Sequence, residues 1–263
     1  WCVPSDQPYN IMWSAPFPFQ RVWPVISQEP MFENDNSPVT AISEHYGNTI
    51  VFKQDSIWSL KYMGQTADNT DLDVFVPNRV VAGIGTVAHR SLQSINGKIV
   101  FLSEDGIYSF NGSTAEKLSI KIQNIIDRIN PERRPFVSSV HWRRMNCYLL
   151  SVALDESKIN NATICFDYRN NTWWLWDGFD VSDWISDENQ DDDEILYFMN
   201  SGGDICQFDA SNNDFGKPVE MEIQTHRIGK HDGSTRSLRL VEVAGSASME
   251  SVDISIQAND GLK

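Results

Sequence analysis

Carboxylates are the most abundant groups capable of chemistry in this 263-residue chain: 36 Asp and Glu stand against 21 Lys and Arg, for a formal charge of −15. Two of them flanking a sugar could hydrolyse a glycoside, but that chemistry depends on a separation in space which spacing along the chain does not give. The densest run, Asp187-Glu188-Asn189-Gln190-Asp191-Asp192-Asp193-Glu194, offers hard oxygen ligands to a calcium ion. It lacks the alternating spacing and central glycine of an EF-hand loop, so it reads first as a solvated connection between strands. Gly83-Ile84-Gly85-Thr86-Val87-Ala88 matches the dinucleotide fingerprint in its letters. A strand-like run with Asn96-Gly97 follows, however, where a helix N-terminus would have to hold the pyrophosphate. Cys2, Cys147, Cys165 and Cys206 show no C-x-x-C spacing for zinc or a redox dithiol, and three of them lie in apolar runs as small buried thiols. The five histidines are scattered, and no P-loop, H-E-x-x-H or G-x-S-x-G is present. The residues predict no catalytic centre, no metal and no cofactor.

Cations gather in one stretch only. Arg128, Arg133, Arg134, Arg143 and Arg144 follow one another closely and form the one basic patch of an acidic chain. Internal pairing with the surplus carboxylates is one reading. The other is an interface with an anionic partner, either another subunit's acidic rim or a nucleic-acid backbone. The overall charge argues against a body built to grip phosphates, because such binding draws on Lys and Arg displacing counterions.

The elements that carry these residues repeat. Lys98-Ile99-Val100-Phe101-Leu102 and Ile107-Tyr108-Ser109-Phe110 read as two strands joined at Asp105-Gly106, with glycine supplying a positive φ, and a second turn follows at Asn111-Gly112. Thr49 to Leu60 repeats the order, with Trp58 where Tyr108 stands and Leu60 where Phe110 stands. Glu194 to Phe208 repeats it again, and Asn146 to Tyr168 is a looser copy. Recurrence at roughly 40 to 60 residues is the range of four-stranded propeller blades. Copies are expected from Pro38, over Thr86 to Ser119, over Val137 to Trp176 with a two-residue turn at Asn170-Asn171, and over Ser182 to Phe208. Between the second and third, Ile122, Ile125, Ile126 and Ile129 fall at helical spacing, with Ser119 placed to cap the start and Pro131 to stop it. Nine tryptophans supply material for packing between sheets.

The ends differ. Residues 1–36 are rich in proline and aromatic residues, which forbids a helix and limits strands to short pieces, so Asn10 to Ser14 reads as part of an incomplete blade. Beyond 217, Val219 to Thr225, Ser237 to Val243 and Ser251 to Gln257 alternate strictly, as strands of a sandwich do. The reading is an all-β chain: propeller blades of four antiparallel strands over 37–216, incomplete in this chain, with a short inter-blade helix, leading into a C-terminal β-sandwich-like element over 217–263. No signal peptide or membrane-spanning run is seen, so a soluble, intracellular protein is expected, although the chain does not begin with Met and residue 1 reads as a cut or processed end. Asn111-Gly112-Ser113 and Asn161-Ala162-Thr163 are formal glycosylation sequons without a secretory signal.

The order of these pieces resembles a family. Asn10-Ile11-Met12-Trp13-Ser14 with Trp23-Pro24, then Thr49 to Leu60, then Ile95-Asn96-Gly97 into Phe101 to Gly112, is similar to the β-propeller tail hub or nozzle proteins of short-tailed bacteriophages, also described as packaged-DNA stabilisation proteins. Asp167-Tyr168 with Asn170-Asn171-Thr172-Trp173 and Trp176-Asp177-Gly178 looks like a later blade of that family, and Glu222 to Thr225 with Ile228-Gly229 and Arg236 to Arg239 like its step into the next β domain. The resemblance implies a non-enzymatic virion protein, assembled in the host cytoplasm into a homo-oligomeric ring of the tail. Such a ring would contact other tail or portal-adaptor proteins and help retain and conduct DNA without sequence-specific binding. Ser103-Glu104-Asp105-Gly106 also echoes the aspartate box of sialidase-like propellers but lacks its following Thr-Trp. A glycan-binding or glycan-hydrolysing propeller and a generic propeller interaction scaffold remain the alternatives.

Overall fold

The computed structural model describes residues 1–14, 23, 27–31, 37–65, 73–189, 193–209, 213–214 and 217–218. The chain divides into two compact units, residues 1–211 and 212–263. Within the second unit the described residues form one short pairing, Asn213–Asp214 with Lys217–Pro218. The alternating stretches Val219 to Thr225, Ser237 to Val243 and Ser251 to Gln257 lie outside the described residues.

The first unit is built of antiparallel meanders. A two-stranded sheet, β1 (Asn10–Met12) with β2 (Gln28–Pro30), comes first. Sheet one contains β3 (Val39–His45), β4 (Asn48–Lys53), β5 (Ser56–Gln65) and β6 (Asp73–Ala82). Sheet two contains β7 (Gln93–Ile95), β8 (Lys98–Leu102), β9 (Ile107–Phe110) and β10 (Ala115–Lys117). Sheet three contains β11 (Ser138–Trp142), β12 (Cys147–Val152), β13 (Ala162–Asp167) and β14 (Thr172–Trp176). Sheet four has three strands, β15 (Asp183–Glu188), β16 (Glu194–Met199) and β17 (Ile205–Gln207). In each sheet the strands lie side by side in chain order.

The repeat seen in the letters is a repeat in register. Val51 faces Trp58 as Phe101 faces Tyr108, and Thr49 faces Leu60 as Ile99 faces Phe110. Lys53 to Ser56 and Ser103 to Gly106 therefore fill equivalent connections. Every residue of β9 and β12 is buried, so these strands show no wet face. A sheet with two apolar faces must be covered twice. Sheet one packs on the β1–β2 sheet through Val51, Trp58 and Leu60 against Ile11 and Met31. Its other face meets sheet two, Phe52 edge-on to Phe101 at 5.1 Å between centroids. Sheet two presents Val100, Leu102 and Ile107 to Tyr148, Leu150 and Phe166 of sheet three. Sheet three in turn presents Trp142, Cys147, Leu149 and Cys165 to Trp184, Leu196 and Phe198 of sheet four. The first strands run together, β11 lying against both β7 and β15.

Three local expectations need correction. The helix is shorter than the spacing predicts: Ser119–Ile122 is a 3-10 turn and only Gln123–Ile126 (α1) is α-helical. Ile122, Ile126 and Ile129 do bury against the sheets, with Ile125 half-buried beside them. Ser119 does not cap it; its buried hydroxyl accepts the Ile107 N–H at 3.0 Å, because closing the end of sheet two demands that bond more than the helix does. The turn at Asn170-Asn171 is a four-residue connection, in which Asp167 accepts the N–H groups of Arg169 and Asn170 at 2.9 and 3.0 Å and Asn171 takes a φ of 54°.

Gly106 is the third. Gly112 has the left-handed φ expected of it, but Gly106 does not. A Cβ there would lie 2.5 Å from Lys117 Cε and 2.6 Å from Ser119 Oγ. Close approach, not backbone handedness, demands the glycine. Gly106→Val is expected to cost about 1–3 kcal/mol by overpacking against the Ser119 hydroxyl, read as a lowered melting temperature; an unchanged melt would refute the close approach.

The segment that leaves sheet one is locked to sheet two by a buried threonine. Thr86 donates its N–H to Lys53 O at 2.8 Å and its hydroxyl to Leu102 O at 2.5 Å, and accepts the Ala88 N–H at 2.9 Å. Gly85 beside it nests against the Lys53 and Gln54 backbone where a Cβ would collide. The G-x-G letters thus serve a close crossing of backbones. Thr86→Val keeps the volume but orphans a buried carbonyl and N–H, so a loss of about 1–3 kcal/mol is expected in chemical denaturation; a neutral result would show that the latch contributes nothing.

Candidate functional site

The five arginines singled out from the sequence do not form one patch. Arg128 lies beyond α1, and Arg133 and Arg134 sit in the 3-10 turn Pro131–Phe136 that precedes β11, whereas Arg143 and Arg144 occupy the turn after β11. A five-residue strand separates the groups, roughly 15 Å of extended chain. Sequence neighbours are thus carried to opposite ends of β11.

Most of them are answered within the chain. Arg128 grips Asp155 with two parallel hydrogen bonds of 2.9 and 2.8 Å. Arg134 donates to the Glu104 carbonyl. Arg143 reaches Glu188 at 2.6 Å and Glu194 at 3.3 Å. Arg144 pairs with Asp209 and lies over the Trp142 ring at 5.7 Å. Arg133 differs. Like Arg134 it has a buried Nε without a hydrogen-bond partner and meets no carboxylate among the described residues, but where Arg134 is anchored on a backbone carbonyl, the Arg133 guanidinium lies 4.4 Å from the centroid of the Phe136 ring.

The acidic run is less of a loop than its letters suggest. Asp187 and Glu188 finish β15 and Glu194 starts β16, while Asn189 and Asp193 close the connection through an N–H to carbonyl bond of 3.0 Å. Gln190, Asp191 and Asp192 lie outside the described residues. Glu194 is the structural member, its side chain only 6 % exposed. Burial alone would raise its pKa. Hydrogen bonds from the Arg144 and Arg143 backbone and from the Arg143 side chain outweigh that and hold the carboxyl below its ordinary value. Such a group contributes stability above the ordinary carboxylate range and loses it as pH falls through the depressed value. The wild-type melting temperature is therefore expected to fall on acidification more steeply than that of Glu194→Gln, which is itself less stable at pH 7; parallel profiles would count against the assignment.

Elsewhere the chemistry-bearing residues serve the fold. Asp105 Oδ2 accepts Tyr108 OH at 2.9 Å and Lys117 Nζ at 3.0 Å, tying the turn of sheet two to its outer strand. Burial and the Asp105 carboxylate push the Tyr108 pKa up to about 12. All four cysteines are free, and burial pushes the Cys147 and Cys165 thiols up. Asn111 and Asn161, the sequon residues, accept backbone N–H groups of Ser113 and Leu154. Among the described residues no group of three or more His, Cys, Asp or Glu could hold a metal ion, and no helix is long and apolar enough to cross a membrane.

A cleft of about 510 Å³ opens where β7, β11 and β15 begin. His89, Arg90, Arg133, Phe136, Ile159 and Asn160 line it. Asn160 ties its walls together, its side-chain amide donating to the carbonyls of Phe136 and Val181 at 3.0 and 2.9 Å and its backbone carbonyl accepting the Val181 N–H. Arg90 already holds Asp183 at 3.2 Å. Apart from Arg133, sequence reasoning missed these residues, since three separate connections contribute them, the turns before β7 and β11 and the β12–β13 connection, and no spacing links them. A scan against protein-family models gives no match, and a search of curated proteins gives none.

Proposed function

We propose that this chain is a structural subunit of the tail of a short-tailed phage, a hub or nozzle ring that extends the portal channel and helps retain and conduct packaged DNA. The observation that carries the reading is the stack of meanders. First strands begin at Val39, Gln93, Ser138 and Asp183, each sheet covers the next, and the first strands of sheets two to four run side by side. In this reading they are successive blades of a propeller with those first strands nearest its axis, and the β1–β2 sheet is a partial blade. The role is mechanical and needs no reactive centre.

Electrostatics supports a conduit more than a clamp. A chain of charge −15 whose Arg128, Arg143 and Arg144 are already paired offers DNA few cations to exchange for counterions. Phosphates are repelled from such a wall and slide along it. Light scattering and negative-stain imaging of the purified chain test the proposal. Rings with an open channel are expected, together with a label on this chain at the tail of intact particles. A strict monomer at high concentration, with no label on the tail, would overturn it.

A further inference from the structure

We infer that the cleft at the start of β7, β11 and β15 is a docking site for a polypeptide partner that inserts an acidic side chain flanked by an apolar one. Arg133 supplies the cation. Its guanidinium lies over the Phe136 ring, 4.4 Å from the centroid, it meets no carboxylate among the described residues, and it keeps a buried Nε without a partner. Stacking on an aromatic ring leaves the guanidinium edge free for a carboxylate and reduces the entropy lost when one binds. Arg90, which also lines the cleft, already carries the Asp183 carboxylate, so the cleft tolerates a carboxylate and has room for one more charge of that sign, not for a polyanion.

The floor is apolar. Phe136 and Ile159 are 55 % and 44 % exposed on it, more than a purely structural role in the fold requires. An open cleft of this kind leaves most of a small ligand in water, whereas ligand pockets bury most of theirs. A chain that continues beyond the cleft can gain contacts outside it. Charge complementarity and the exposed apolar floor together favour a polypeptide carrying Asp or Glu next to Phe or Leu. The inference holds whether or not the sheets close into a ring.

The test is titration of the ¹⁵N-labelled full chain with acetyl-Gly-Asp-Phe-Gly-amide, acetyl-Gly-Asn-Phe-Gly-amide and sodium acetate. The Arg133 Nε–Hε resonance is followed, assigned by its loss in Arg133→Lys. The Asp peptide is expected to shift it saturably, and the Asn peptide and acetate at equal concentration are expected not to. Ile159→Lys should tighten the Asp peptide by about fivefold and Ile159→Glu weaken it comparably, the scale of one added surface charge. Opposite effects from one exposed position cannot arise from misfolding. Equal response to both peptides, a response to acetate alone, or indifference to the sign at residue 159 would overturn the inference.

Discussion

A sheet buried on both faces cannot exist alone, and that constraint organises this molecule. β9 and β12 have no solvent-facing residue, and β8 has one at its end. Fully burying each large side chain contributes about 1.5–3 kcal/mol, so leaving either face of such a sheet in water would forfeit many of these contributions at once. Stacking is the arrangement that satisfies every sheet, and in the stack the first strands of sheets two to four lie together, β11 against β7 and β15.

Apolar stacking is indifferent to sliding, and polar groups buried between the sheets remove that freedom. Besides Thr86, Tyr148 donates to the Ser91 carbonyl at 2.7 Å, Gln93 donates to Ser139, and the Trp184 indole donates to Ser151 at 2.8 Å. Each joins one sheet to its neighbour or to the connection between them. A displaced stack would leave these groups buried and unpaired, which costs more than the bonds themselves contribute. Lys53 does the same at the first interface, its fully buried side chain donating to the Met31 carbonyl at 2.7 Å and lying over Trp58.

Charge follows a different logic. The acids outnumber the bases, so a cation readily finds a carboxylate, and Arg90, Arg128, Arg143 and Arg144 do. Arg133 is the exception: the 3-10 turn that carries it also carries Phe136, whose ring lies under its guanidinium, and no carboxylate among the described residues reaches its edge. Its position at the edge of a cleft turns an ordinary surface residue into a recognition element, while Arg143 at the far end of the same strand becomes part of the scaffold.

The sequence by itself determined what depends on near neighbours: the hairpins, the equivalence of Trp58 with Tyr108 and of Leu60 with Phe110, the β-rich class, and the burial of Cys147, Cys165 and the isoleucines around α1. Alternation and turn chemistry act over a few residues and are written in the order of letters. Only tertiary structure decided why Gly106 is glycine, that Ser119 serves a strand and not a helix, that Gly85 and Thr86 lock two sheets, and that one run of arginines is split between two ends. Those outcomes turn on distances between segments tens of residues apart, which the packing of apolar faces sets and no local spacing records.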